Sequence, residues 1–379
     1  MAATDSYAGG DGRLSPLSTP SATRAVLEAH GIGTKYTLGQ NFLVNDDVLK
    51  KIIALAEVDE ADRVLEVGPG IGTLTIALLK HAASVVAIER DPDLPAVLAD
   101  TLHPWREKFA LIEKDALDVT GDDIVAAMAE IGADTGCLDR ASFAERGLSE
   151  RIKVPRGCAS GGELQPSLPS KLVANLPYAV AATVVLDYFE SFLFLDSATI
   201  MVQKEVADRM AAAVGTKNYG AYTVKLGLHA EPAGRFPVGP GNFFPPPRVD
   251  SAVIRLNRRV PLMADGAPAT PEVIAAAALI ADAAFANRRK TIANSCKTYF
   301  SGRGSLLLGA SGSSAGLRAV DGALSGGVGG AFVLDGADIV DHLPAIFDAA
   351  AIDPRRRGET LTQQEFLALG AALLKEATV

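Results

Sequence analysis

Two short stretches carry residue types suited to chemistry on a ligand. The first, Glu66-Val-Gly-Pro-Gly-Ile-Gly72, follows the apolar run Arg63 to Val67 and precedes a helix-like segment, Leu74 to Ala82. A glycine turn between strand and helix lets backbone approach a bound molecule closely. The pattern is GxGxG, not the GxGxxG of pyrophosphate binders, because Thr73 stands where the last glycine is required. The second stretch, Asn175-Leu-Pro-Tyr178, ends the apolar run Lys171 to Ala174. Open α/β sheets bind ligands at the carboxyl ends of their strands, so a strand stopping at an amide, a proline and a ring suggests a ligand. A plain turn is the bland alternative. Glu89 closes the run Ser84 to Glu89, roughly 20 residues beyond the glycine turn, where a carboxylate can accept both hydroxyls of a ribose. Asp115 stands just past Phe109 to Ile112, where a third ligand contact is expected. Either acid alone would read as a cap or turn residue.

These residues need strands to hold their tips level. Arg63 to Gly68, Ser84 to Glu89, Phe109 to Ile112 and Lys171 to Asn175 are continuously apolar, as parallel strands buried on both faces are. Helical patterns at Leu74 to Ala82 and Ala181 to Phe189 alternate with them, which predicts a Rossmann-like, doubly wound α/β sheet. Further strands are expected at Ala198 to Gln203, Ala221 to His229 and Ser251 to Leu256. From Pro271 the pattern turns helical, with helices expected at Glu272 to Asn294, Asp341 to Ala350 and Gln363 to Lys375. Thr362-Gln-Gln-Glu365 has the spacing of a capping box. The expected organisation is a disordered tail over 1–33, an α/β domain over 34–259 and a smaller all-helical domain over 260–379. Two Gly-, Ser- and Ala-rich stretches, about 120–170 and 301–336, read as inserted surface loops, the first with a short helix at Asp122 to Glu130.

With 379 residues, 48% hydrophobic and 21% charged, the composition is that of a soluble globular protein of two domains. No apolar run approaches the roughly 20 residues that span a bilayer, so no membrane association is expected. The N-terminus lacks the apolar core of a signal peptide, and a cytoplasmic location is expected. Cys137, Cys158 and Cys296 fall at no metal spacing, and the five histidines form no ligand pattern, so no metal is expected. The net charge of −9 argues mildly against nucleic acid, but clustered cations matter more than the sum. Arg248, Arg255, Arg258 and Arg259 close the first domain, while Arg288, Arg289, Lys290 and Lys297 are expected on one helix of the second. Such a cluster in an acidic chain suits phosphate binding, with a solvated helix face as the alternative; Arg355-Arg-Arg357 is a further candidate.

Taken in order, Lys35-Tyr-Thr-Leu-Gly-Gln-Asn-Phe-Leu43, Glu66 to Gly72, Asn175 to Tyr178, Gln203-Lys-Glu-Val-Ala207 and Phe243-Phe-Pro-Pro-Pro-Arg-Val-Asp-Ser251 resemble the motifs of the ribosomal RNA adenine dimethyltransferases. Phe285-Ala-Asn-Arg-Arg-Lys-Thr291 resembles the helical-domain signature of the small-subunit, 16S-type branch. The resemblance covers about Lys35 to Asn294 and, more weakly, the chain from Ile352. It implies S-adenosylmethionine as cofactor, held by Asn41, Leu43, Gly68, Glu89 at the ribose, Asp115 at the adenine and Asn175, with Glu66 and Gly70 in the glycine loop. It implies catalysis at Asn175, whose amide oxygen, with the carbonyl of Leu176 or Pro177, would accept hydrogen bonds from adenine N6. Tyr178 and Phe243 would replace the stacking that the target base loses on leaving its strand. Arg248, Arg288, Arg289 and Lys290 would contact RNA. The implied partner is small-subunit ribosomal RNA or the pre-ribosomal small subunit, met by a monomer during ribosome biogenesis. The competing readings are a large-subunit RNA methyltransferase, against which Arg288 to Thr291 speaks, and a non-catalytic nucleic-acid-binding relative, against which the intact Glu66 to Gly72 and Asn175 to Tyr178 speak.

Overall fold

A computed structural model describes residues 12–33, 40–131, 168–308 and 332–376. Lys35 to Gly39 of the first motif and most of both insertions lie outside the described residues. The chain forms two compact units: Met1–Tyr188, Phe192–Ala207 and Pro232–Arg258 in the first, Phe189–Ser191, Asp208–Glu231 and Arg259–Val379 in the second.

The first unit is built on β2 (Arg63–Val67), β3 (Ser84–Glu89), β4 (Phe109–Glu113), β5 (Lys171–Asn175) and β6 (Ser197–Gln203), all parallel, with β9 (Ser251–Arg258) antiparallel to β6. With β7 (Ala230–Val238) at the edge, the sheet runs β4-β3-β2-β5-β6-β9-β7. Every residue of β3 is buried, which is why its sequence is apolar without alternation. The edge strand β7 escaped the sequence because it has no apolar periodicity: two prolines and a glycine lie within it and five successive residues are exposed. Proline is tolerated there because an edge strand leaves amides unpaired. A separate two-stranded pair joins β1 (Phe42–Leu43) to β8 (Phe243–Phe244), with Leu43 opposite Phe243. Two motifs 200 residues apart thereby meet, and Asn45 Nδ2 donates to Asn242 Oδ1 at 2.8 Å beside them.

Helices follow local signals. In α2 (Asp46–Ala56), Asn45 caps the amides of Asp47 and Val48, and Asp46 and Asp47 lie in the first turn, where the helix dipole favours anions. α3 (Thr73–Leu79) starts at Gly72, α4 (Leu94–Thr101) follows β3, and α5 (Gly121–Glu130) opens with a Thr120/Asp123 capping box. The expected tail is corrected here. Residues 20–29 form α1 (Pro20–Ala29), capped by Thr19 and started by proline, and Leu17, Val26 and Leu27 enter the core of the first unit. A composition rich in Ser, Ala and Pro concealed one buried aliphatic before the cap, Leu17, and two within the helix, Val26 and Leu27.

α6 (Ala181–Ser191) follows β5, and α7 (Lys204–Met210) follows β6. The second unit is helical. It contains α8 (Ala221–Gly227), α9 (Pro271–Phe285), α10 (Ile292–Phe300), α11 (Gly336–Ala349) and α12 (Gln363–Glu376). α8 overturns the strand expected over Ala221 to His229; a short apolar run does not distinguish helix from strand. Its Val224 joins the core with Ala276, Ala277, Ile280 and Phe366, which draws Asp208–Glu231 into this unit. The helix expected over Glu272 to Asn294 is two, because Thr291 adopts extended backbone and caps α10 through Asn294 N. α12 begins with the expected capping box: Glu365 N donates to Thr362 Oγ1 and Thr362 N to Glu365 Oε2.

The flanks of the second insertion are not surface loop. β10 (Ser305–Leu308) and β11 (Phe332–Asp335) pair antiparallel, and Leu306 and Leu334 are each 2% exposed within the helical core. Gly336, directly after β11, packs so tightly that a Cβ there would overlap the Arg303 carbonyl oxygen. Leu306→Ala or Leu334→Ala should therefore cost about 2–5 kcal/mol, the range for truncating a buried leucine, read as a lower denaturant midpoint at unchanged slope. A midpoint equal to wild type would return the segment to the status of a loop. No helix among the described residues is long and apolar enough to cross a membrane.

Candidate active site

The carboxyl ends of β2, β3 and β5 and the segment before α2 enclose a cavity of about 510 Å³, within the range of small-molecule sites. Asn41, Leu43, Glu66, Gly68, Gly70, Glu89, Asp115, Asn175, Leu176, Pro177 and Tyr178 all line it. The parallel register accounts for this, since β2, β3, β4 and β5 pair side by side and bring residues far apart in sequence to one rim.

Glycine is required in the loop by conformation and by space. Gly68 and Gly70 have φ of 71° and 61°, and a Cβ on Gly70 would lie 3.1 Å from the Phe42 ring. A Cβ on Gly68 would face Pro177 Cδ at 3.6 Å and the Asn175 carbonyl oxygen at 3.7 Å, so the two motifs touch.

Three acids have distinct environments. Glu66 is 1% exposed, and burial, aided by the neighbouring Glu89 charge, pushes its carboxyl up to about 8. Its Oε2 and the Thr73 hydroxyl are buried without a partner among the described residues, a polar wall that suits a polar or cationic ligand. Glu89 is also raised by burial, yet its Oε1 accepts the amides of Arg90 and Asp91, both at 2.9 Å, which fixes the carboxylate at the strand tip. Asp115 is lowered by the Leu117 amide and by Arg90, whose Nη1 lies 2.9 Å from Oδ2. Arg90, also on the cavity wall, is a neighbour the sequence reading passed over, although its position directly after Glu89 was a signal. Gln40, next to Asn41, donates to the buried Asp91 at 2.6 Å and ties the first motif to the tip of β3.

Asn175 is oriented by chemistry alone. Its Nδ2 lies 3.1 Å from the Asn41 carbonyl, which can only accept, so the amide nitrogen faces that oxygen and Oδ1 is left as an acceptor. The backbone beside it is also sorted. The Pro177 carbonyl accepts from the amides of Val180 and Ala181 as the chain enters α6, which leaves the Leu176 carbonyl as the acceptor at the tip. Tyr178 is half-buried, and its hydroxyl meets Ser251 Oγ at 2.6 Å.

Phe243 departs from expectation. It is 3% exposed, pairs with Leu43 and packs in the core with Phe42 and Ile71, outside the cavity wall. Its type suggested a stacking ring; its burial was not legible from type.

The basic residues divide in the same way. Arg255 pairs with Glu57 at 2.7 Å and donates to the Leu55 carbonyl, while Arg258 donates to the carbonyls of Leu195 and Phe192. Arg259 donates to Gln363 Oε1 at 3.1 Å. Arg288 lies in the turn between α9 and α10, not on a helix, and its guanidinium is shared among Glu359 at 2.8 Å and the carbonyls of Lys217 and Thr216. Arg356 is held by Glu365 and Arg355 by Asp353. Arg288 and Arg355 are exposed all the same, as are Arg248 in the first unit and Arg289 and Lys290 in the second.

Comparison with known proteins places these features in a family. The family model described as ribosomal RNA adenine dimethylase matches residues 33–308. The chain is 32% identical over 354 residues to the ribosomal RNA small subunit methyltransferase A of Staphylococcus aureus strain Newman, covering 93% of this chain and 94% of that one. Among solved structures, a dimethyladenosine transferase from Plasmodium falciparum superposes with a TM-score of 0.56 at 19% identity, over 88% of this chain and 98% of that one.

Proposed function

The chain belongs to the ribosomal RNA adenine dimethylase family, and from that premise we propose that it transfers two methyl groups from S-adenosylmethionine to N6 of adenine in small-subunit ribosomal RNA. The observation that carries the reading is the fixed amide of Asn175, whose Oδ1 and the neighbouring Leu176 carbonyl are two acceptors on one cavity wall.

The cavity residues fit the cofactor. Glu89 would take the ribose hydroxyls, Asp115 the adenine, and the glycine loop with Asn41 and Leu43 the remaining length, while the orphaned Glu66 oxygen offers a polar wall. When bound, S-adenosylmethionine supplies a methyl group already activated by a positive sulfur. The chain's own task is the nucleophile. The lone pair of an exocyclic amine is delocalised into the adenine ring; acceptors on its two hydrogens in the first transfer, and on the one that remains in the second, draw the nitrogen towards tetrahedral geometry. Each transfer releases one N–H proton to solvent. The same acceptors stabilise the positive charge that builds on nitrogen during transfer. Tyr178 offers a ring against which an unstacked base rests. Because the work is positioning, the site uses no nucleophilic side chain.

Arg248 in the first unit, and Arg288, Arg289 and Lys290 in the second, are the proposed RNA contacts, Arg288 from a guanidinium that also bonds Glu359 and the carbonyls of Thr216 and Lys217. The proposed setting is the cytoplasm, the proposed substrate form the pre-ribosomal small subunit and the proposed state a monomer. Incubation with small subunits carrying unmodified RNA, and with that RNA alone, in the presence of labelled cofactor, followed by nucleoside mass spectrometry, should yield dimethyladenine; label absent from adenine in both would overturn the reading. Arg289→Ala with Lys290→Ala should lower the salt slope of RNA binding by roughly 1.4 to 1.8 units, about 0.7–0.9 per lost phosphate contact. Cofactor affinity should stay at the wild-type value. A slope equal to wild type would move the RNA surface elsewhere.

A further inference from the structure

A ring serves as a platform for a base only as far as its plane is held. Tyr178 leaves the tip of β5 on the cavity wall, half-buried, with its hydroxyl 2.6 Å from Ser251 Oγ. Ser251 is 0% exposed. It opens β9 opposite Gln203 of β6, so its backbone is fixed by the sheet and cannot follow a moving ring. Either hydroxyl can donate in this pair, and parting them would strand a buried hydroxyl without a partner. With Phe243 packed into the core, more of the alignment of an incoming base falls on the plane of Tyr178.

We propose that Ser251 is a positioning residue for methyl transfer: its buried hydroxyl holds the Tyr178 ring in the plane that seats the target adenine, so that N6 meets Asn175 Oδ1 and the Leu176 carbonyl together. This rests on the adenine reading of the site. Ser251 touches neither base nor cofactor; it acts through the ring. Phosphate contacts made elsewhere are independent of it, so RNA affinity is expected to change little while the rate falls.

The test compares wild type, Tyr178→Phe, Ser251→Ala and the double variant in single-turnover methyl transfer at saturating small-subunit RNA. Tyr178→Phe keeps the ring and removes only its tether, so it tests the idea even if Ser251→Ala folds poorly. Each single variant should slow transfer by about tenfold or more, as small misplacements of reacting groups do. The double should be no slower than the slower single, because both changes break one bond. Affinity for S-adenosylhomocysteine should match wild type in all three variants. A 2-aminopurine at the target position should be less quenched in the variants, reporting a loosened stack that a merely structural serine would not alter. A wild-type rate for Tyr178→Phe, or losses that multiply in the double variant, would overturn the proposal while leaving the adenine reading intact. Failure of the wild-type protein to methylate adenine in this RNA, whether free or within the small subunit, would remove both.

Discussion

Asn175→Ala is expected to cut the single-turnover rate by about 10²–10³, the loss seen when one preorganised hydrogen-bonding group is removed from a transition state. The Asn41 carbonyl holds the Nδ2 side of the amide, so Oδ1 faces the cavity as an acceptor without needing to be recruited. Alanine removes that acceptor and leaves the Leu176 carbonyl, which alone cannot define the pyramid at nitrogen. Asn175→Asp restores an acceptor but places a carboxylate oxygen against the Asn41 carbonyl, and it should also be slow. RNA affinity, carried by phosphate contacts, should stay within about a factor of two of wild type. Some cofactor affinity is expected to go, because Asn175 lines the same cavity as Glu89 and Gly68. A rate within about threefold of wild type for Asn175→Ala would exclude this residue from the chemistry.

The second large effect is expected at Glu89. Removing a charged hydrogen-bond partner should weaken cofactor binding by about 1.5–3 kcal/mol, or roughly 10- to 150-fold, in calorimetric titrations with S-adenosylhomocysteine. Glu89 has two tasks that a pair of substitutions separates. Its Oε1 accepts the Arg90 and Asp91 amides and so shapes the turn beyond β3, while the carboxylate as a whole faces the cavity. Glu89→Gln keeps an acceptor for the turn and loses the charge; Glu89→Ala loses both. Affinity should fall in the order wild type, glutamine, alanine. Equal affinities for all three would place the ribose elsewhere.

The glycine loop, the two acids at strand tips and Asn175 to Tyr178 were legible because each depends on short-range facts. Continuous apolar runs mark buried parallel strands, a strand tip is where a parallel sheet meets its ligand, and the residue standing at that tip is read directly. The capping box at Thr362 and Glu365 belongs to the same class, since both partners lie within one helical turn.

What only the tertiary structure decided depends on residues distant in sequence. Phe243 has the type of a stacking ring, yet pairing with Leu43 places it in the core. Arg255, Arg258 and Arg288 have the type of phosphate ligands, yet their guanidinium groups bond Glu57, carbonyls at positions 192 and 195, and Glu359. A guanidinium has five donors, and whether they meet phosphate or the protein's own acceptors is set by what folding brings beside them. The run Ala221 to Gly227 could pack as strand or helix, and the apolar face of α9 selected the helix. Residue type and local period therefore determined the chemistry available to this chain, while long-range packing determined which partners those side chains meet.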